Sequence, residues 1–202
     1  MIEYLTEAFR GPGAPFMYAI TALLAFSLAV LVERALALVK ARPNAAAALA
    51  ALDGGDLSGA ATAAGATPLA GVLRAGAAEP DADRAWEAMG SAAAAAEGGI
   101  RKRIDSLSAV SNLATMLGLL GTVYGLILAF SALGDAAAGE RAARLSEGIS
   151  TAMATTAYGL LVAIPSLAVH TWLSGIADAR INEIEVAAGR LALALRKGRS
   201  DG

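Results

Sequence analysis

Charge is missing from three long stretches of this chain. Gly11 to Val32 carries none, and it is densest in apolar residues from Pro15 onward. Ser106 to Gly134 carries none, and Gly148 to Ala177 carries none when His170 is counted as neutral. A helix rises 1.5 Å per residue, so about 20 apolar residues cross the hydrocarbon of a bilayer. Each stretch meets that length, and the later two exceed it, which predicts tilt or continuation past the bilayer. The pattern predicts transmembrane helices over 15–39, 106–134 and 148–174, with the third continuing as a helix from Gly175 to Lys197. Buried helices of a soluble protein are the alternative, and three such runs in 202 residues argue against it.

Between the first two runs the chain is rich in alanine and glycine, broken by Pro43, Gly54, Gly55, Gly65, Pro68, Gly76 and Pro80. Short helices are predicted there, over about 44–53, 56–64, 67–77 and 81–104. Alanine favours helix but buries little area. These helices are therefore expected to pack on one another or on neighbouring subunits, with Trp86 as an anchor. Low-complexity disorder is the competing reading of 44–66.

Basic residues orient the spans. Arg34, Lys40 and Arg42 follow the first, Arg101, Lys102 and Arg103 precede the second, and Arg180, Arg190, Arg196, Lys197 and Arg199 follow the third. The other side holds only Arg10, Arg141 and Arg144. Lys and Arg concentrate in cytoplasmic flanks. The expected topology is a periplasmic N-terminus (1–14), a cytoplasmic helical loop (40–105), a periplasmic loop (135–147) and a cytoplasmic tail (175–202). Glu3 and Glu7 precede Arg10, so the start lacks the basic region of a signal peptide and the first helix is expected to be retained. The fold class is all-α: a single-domain, polytopic membrane protein with three transmembrane helices. The long second and third helices extend into the cytoplasm beside a small helical region.

Composition agrees with a membrane setting. Hydrophobic residues make up 56% and charged residues 17%, against about half and about a quarter in soluble domains. A net charge of −2 suggests no nucleic-acid partner. With no cysteine and one histidine, disulfides, thiolate chemistry and multi-histidine metal sites within one chain are excluded. No nucleophile–base pair or phosphate loop is visible, so neither an enzyme nor a cofactor is expected.

The chemistry sits in the two later spans. In the second, Ala114, Gly118, Thr122 and Gly125 recur at helical spacing with Gly121 beside them. Small residues let helix backbones approach closely in lipid. The third packs Ser150, Thr151, Thr155, Thr156 and Tyr158 into its first half, followed by Gly159, Pro165 and Ser166. So many hydroxyls are costly to expose to lipid and are expected to face protein or water. Pro165 removes a helical hydrogen bond, which reads either as a bend in the span or as a tolerated break shielded by neighbours. Glu33 and Arg34 read as an interfacial ion pair, Tyr18 and Trp172 as interface aromatics, and Asn112 as an interhelical donor. His170 reads as an interfacial histidine or as a relay near the inner end.

The segments Leu117-Gly-Leu-Leu-Gly-Thr-Val-Tyr-Gly125 and Gly148-Ile-Ser-Thr-Ala-Met-Ala-Thr-Thr-Ala-Tyr-Gly-Leu-Leu-Val-Ala-Ile-Pro165 resemble the second- and third-helix signatures of the MotA/TolQ/ExbB proton channel family, nearer its ExbB/TolQ members than the four-span MotA subunits. Weaker similarity reaches Glu33-Arg34 and Thr67-Pro-Leu-Ala. The resemblance implies a homopentamer in the bacterial inner membrane whose second and third helices line a central pore. It implies a single-span ExbD/TolR-like partner, in two copies, whose membrane aspartate carries the ion, expected to be H+. It assigns Thr122 and Thr156 to the pore, with Thr151, Thr155 and Thr115 beside them, and Gly118, Gly121, Gly125, Gly159 and Pro165 to helix packing. Many relatives carry glutamate at the position of Thr151 and proline at that of Thr115. No Asp or Glu lies inside either later span here, so the titrating group is expected from the partner. The contrasting function is a non-conducting scaffold that holds a single-span partner.

Overall fold

A computed structural model describes residues 9–40, 45–54, 56–135 and 139–200. The segments 1–8 with Glu3 and Glu7, 41–44 with Arg42 and Pro43, Gly55, 136–138 and 201–202 lie outside the described residues. Among the described residues the regular structure is entirely α-helical. Helix α1 spans Ala14–Lys40, α2 Ala45–Asp53, α3 Leu57–Ala63, α4 Pro68–Ala77, α5 Ala82–Arg101, α6 Ile104–Asp135 and α7 Arg141–Ser200. Stretches of α1, α6 and α7 are long and apolar enough to cross a membrane. The four short helices fall close to the predicted ones, including the two inside 44–66.

Local chemistry sets the boundaries. Asp56 caps α3 by accepting a hydrogen bond from Gly59 N at 2.8 Å. Thr67 caps α4, with Pro68 in the first turn, where its missing N–H costs nothing. Asp81 caps α5 by accepting from Asp83 N and Arg84 N. Helix α5 stops at Arg101 because Lys102 turns extended and Arg103 takes φ 63°, a left-handed conformation uncommon outside glycine. Helix α7 begins at Arg141, seven residues before the expected start of the third span, so part of the expected loop 135–147 is helical. Its first turn is a run of helix formers, and Arg144 pairs with Glu140 at 3.4 Å.

The chain divides into two units, 1–32 with 103–171 and 33–102 with 172–202. In the first unit α1, α6 and α7 enclose a core of Ile20, Ala114, Val162 and Ala163, with Leu23, Leu24, Leu117 and Tyr158 packed against it. Two hydroxyl pairs join α1 to α7: Thr21 with Tyr158 and Ser27 with Ser166, each at 2.9 Å.

In the second unit, Leu69, Leu73, Met89 and Leu191 are fully buried. Gly76 lets α4 approach closely, since a Cβ there would lie 2.6 Å from Met89 Sδ and 2.9 Å from a Leu191 methyl. Arg101 pairs with Asp178 at 2.7 Å and Arg190 with Asp53 at 2.8 Å. The Glu33–Arg34 pair forms at 2.7 Å, with Arg34 buried and also donating to Gly99 O. Trp86, expected as the anchor here, is 54% exposed. Met89, one turn further along α5, occupies the core instead.

Candidate functional site

The glycines of α6 lie against the glycine and alanine stripe of α7. A Cβ on Gly125 would meet Ala152 N at 2.6 Å and Gly148 O at 2.7 Å, and one on Gly159 would meet Ala114 O at 2.7 Å. Gly118 faces the backbone of Thr156 and Gly159, and Thr155 fills the space beside Gly121. The two helices form an antiparallel seam in constant register: residue 125 opposite 148, 118 opposite 156, and 111 opposite 163, where Ser111 Oγ donates to Ala163 O at 2.9 Å. Gly118, Gly121, Gly125 and Gly159, expected to serve helix packing, all lie on this seam. Pro165 does not share it: its side is exposed and α7 runs on through it. Asn112 is exposed as well, and its neighbour Ser111 makes the interhelical bond instead. Gly148 and Ala129 also belong to the seam, though the sequence reading gave neither a packing role. Their signal was present, because Ala114, Gly118, Gly121, Gly125 and Ala129 recur every three or four residues.

The five threonines separate. Thr122 and Thr156 line one open groove on the α6–α7 hairpin, together with Leu126, Ile149, Met153 and Leu160. Thr156 Oγ1 donates to Gly118 O across the seam at 3.0 Å, and Thr122 Oγ1 donates to Leu119 O in its own helix. Each hydroxyl donates its hydrogen to a carbonyl and keeps lone pairs with which to accept another bond.

Thr155 is 0% exposed and donates to Thr151 O and Ala152 O. Thr151 is buried beneath Gly13, where a Cβ would lie 2.9 Å from its methyl. Both were expected beside the pore. The structure places them inside the three-helix unit, because helical spacing turns 151 and 155 away from 149, 153 and 156. Thr115 is half-buried and donates to Ser111 O at 3.0 Å. It does not line the groove that Thr122 and Thr156 share.

This arrangement defines a class: an all-helical chain with three helices able to cross a bilayer, two of them closed into a glycine-packed hairpin with a mostly apolar groove carrying two hydroxyls. Residues 60–186 match the MotA/TolQ/ExbB proton channel family, and the chain belongs to that family. It is 39% identical over 83 residues to an ExbB homolog of Methanothermobacter thermautotrophicus, covering 41% of this chain and 29% of that protein. It is 38% identical over 79 residues to the biopolymer transport protein exbB1 of Vibrio cholerae, covering 39% and 35%. It is 36% identical over 89 residues to the Tol-Pal system protein TolQ of Haemophilus influenzae, covering 43% and 36%. The chain thus spans about a third of the length of these relatives.

Proposed function

We propose that this chain is the ring-forming subunit of an ion-driven motor in the inner membrane, coupling the proton motive force to mechanical work on the cell envelope. The observation that carries the reading is the groove: Thr122 and Thr156 come together on one open face, within spans that hold no carboxylate. A bare charge near mid-membrane costs several kcal/mol, so an ion needs a titrating group to cross. A single-span ExbD/TolR-like partner, in two copies inside a ring of five subunits, supplies that group as a membrane aspartate. The two hydroxyls, whose hydrogens are held by the Leu119 and Gly118 carbonyls, then accept from the protonated acid or from an ordered water. Each charge that crosses releases about 2.3 kcal/mol per 100 mV, which drives the partner helices relative to the ring. The basic flanks put the N-terminus in the periplasm and the C-terminus in the cytoplasm.

Thr122→Val and Thr156→Ala are expected to abolish ion-driven function while the complex still assembles, measured as proton flux through the purified complex in liposomes. Wild-type flux in both variants would remove the role given to these hydroxyls. The largely apolar lining of the groove also suits a scaffold that only holds a partner helix. Absence of flux from an intact wild-type complex with partner would favour that reading.

A further inference from the structure

Helix α7 meets α6 largely along glycine and alanine. Such a seam lets two backbones come close but offers few side chains to key one helix against the other. The face of α7 toward α1 is different. Thr151 and Thr155 lie beneath Gly13, and Val162 shares a core with Ile20. Tyr158 and Ser166 make hydroxyl bonds to Thr21 and Ser27, each at 2.9 Å. Positions 151, 155, 158, 162 and 166 fall on one helical face. At 3.6 residues per turn, Tyr158 sits about 200° around α7 from Thr156, so it holds the side of the helix opposite the groove.

The chemistry of the Thr21–Tyr158 pair fixes its direction. A threonine hydroxyl has one hydrogen, and that of Thr21 goes to Met17 O at 2.8 Å. The bond between the two side chains is therefore donated by the Tyr158 phenol and accepted by Thr21. The tyrosine ring is held as well, in a T-shaped contact with Phe9 at 5.5 Å between centroids. The Ser27–Ser166 pair runs the other way, because Ser166 donates to Val162 O at 2.8 Å and Ser27 is left to donate to Ser166.

We propose that Tyr158 is a positioning residue for the groove: by donating to Thr21 it fixes the rotation of α7, which keeps Thr155 enclosed and turns Thr156 outward. Those two threonines are about 100° apart on the helix, so a modest turn of α7 takes Thr156 off Gly118 O and out of line with Thr122. Glycine contacts leave such a turn open, whereas a hydrogen bond weakens steeply once its angle is lost. Tyr158 lies within one turn of Thr156, closer along α7 than Ser166. It touches neither the ion nor its carrier and acts through Thr156. Its bearing on transport rests on the role proposed for Thr156, and the rotation itself does not.

The direction of the bond sets an order of effects that loss of packing does not. Tyr158→Phe keeps the ring, and Thr21 stays bonded to Met17 O. Thr21→Val leaves the half-buried phenol with a donor and no acceptor, which is worse than a missing bond. Adding Tyr158→Phe to Thr21→Val removes that donor, and Thr21→Ser keeps the acceptor. The chain has no cysteine, so Ala109→Cys on α6 and Ala157→Cys on the groove side of α7, both exposed, take spin labels without background. The full chain is placed in lipid nanodiscs at low labelled fraction, and the label–label distance is read by electron double resonance in each background.

The expected result is one narrow distribution for the wild-type background and for Thr21→Ser, and a second, displaced population in Tyr158→Phe. That population is expected to be about fivefold larger in Thr21→Val and to return to the Tyr158→Phe level in the double variant. Unshifted distributions in both single variants would overturn the assignment, and so would a Thr21→Val population that the second substitution leaves unchanged. Should Thr21→Val fail to fold, Tyr158→Phe compared with Thr21→Ser decides. If Thr156 acts as proposed, proton flux falls in the same order. Flux indifferent to both Tyr158→Phe and Thr156→Ala, with distances shifted as expected, would remove the role of Thr156 and leave the positioning intact.

Discussion

At Gly125 one missing methyl group decides how two helices meet. The atoms that a Cβ would strike there, Ala152 N and Gly148 O, are backbone. No rotamer change relieves such a clash, so the helices must move apart. Gly125→Ala is expected to destabilise the hairpin by about 1–3 kcal/mol, the usual range for overpacking. Gly134→Ala is the control, because nothing lies within 4 Å of its added carbon and alanine is the better helix former by about 1 kcal/mol. Unfolding in mixed micelles compares the two, and equal stabilities would show that the seam tolerates an extra methyl. The glycine stripe was legible in the sequence because its spacing is helical. The burial of Thr155 was not. Its neighbour Thr156 is chemically identical, and only the rotation of α7 against α6 separates an enclosed hydroxyl from one on the groove.

The short helices follow signals carried by single residues. Thr67 followed by Pro68 opens α4 and Asp81 opens α5, and each cap satisfies backbone N–H groups that have no partner within the helix. Thr67→Ala and Asp81→Ala are each expected to cost about 1 kcal/mol, seen as a lower thermal midpoint for the second unit by hydrogen exchange of its amides. Loss of α4 or α5 protection without any change in the other helices would identify the cap as the cause. Pro165 sits inside α7 rather than at either end of it. Its ring removes one hydrogen bond, yet α7 continues through it without a break in the assigned helix. The neighbouring Ser166 donates to Val162 O at 2.8 Å and pairs with Ser27 on α1, which holds this stretch of α7 in place.

For the whole chain, orientation in the bilayer is the property that charge asymmetry predicts. Gly139→Cys lies in the connection between α6 and α7, and Ala78→Cys lies in the second unit at an exposed position. A membrane-impermeant thiol reagent added to spheroplasts is expected to label Gly139→Cys at once and Ala78→Cys only after the membrane is opened. The reverse pattern would invert the topology.

What the sequence by itself determined is the type and approximate limits of the helices among the described residues, the family, and the stripe of small residues on α6. Each of these follows from local composition and from a period along one chain. Tertiary structure alone decided which hydroxyls are enclosed and which reach the groove, that Met89 rather than Trp86 fills the second unit, and that Ser27 meets Ser166. It also decided that His170 Nε2 of α7 comes within 3.7 Å of Asp105 Oδ1 of α6. Those outcomes depend on the rotation and register of one helix against another, set by summed contacts between residues far apart in the chain. A one-dimensional pattern does not contain that register.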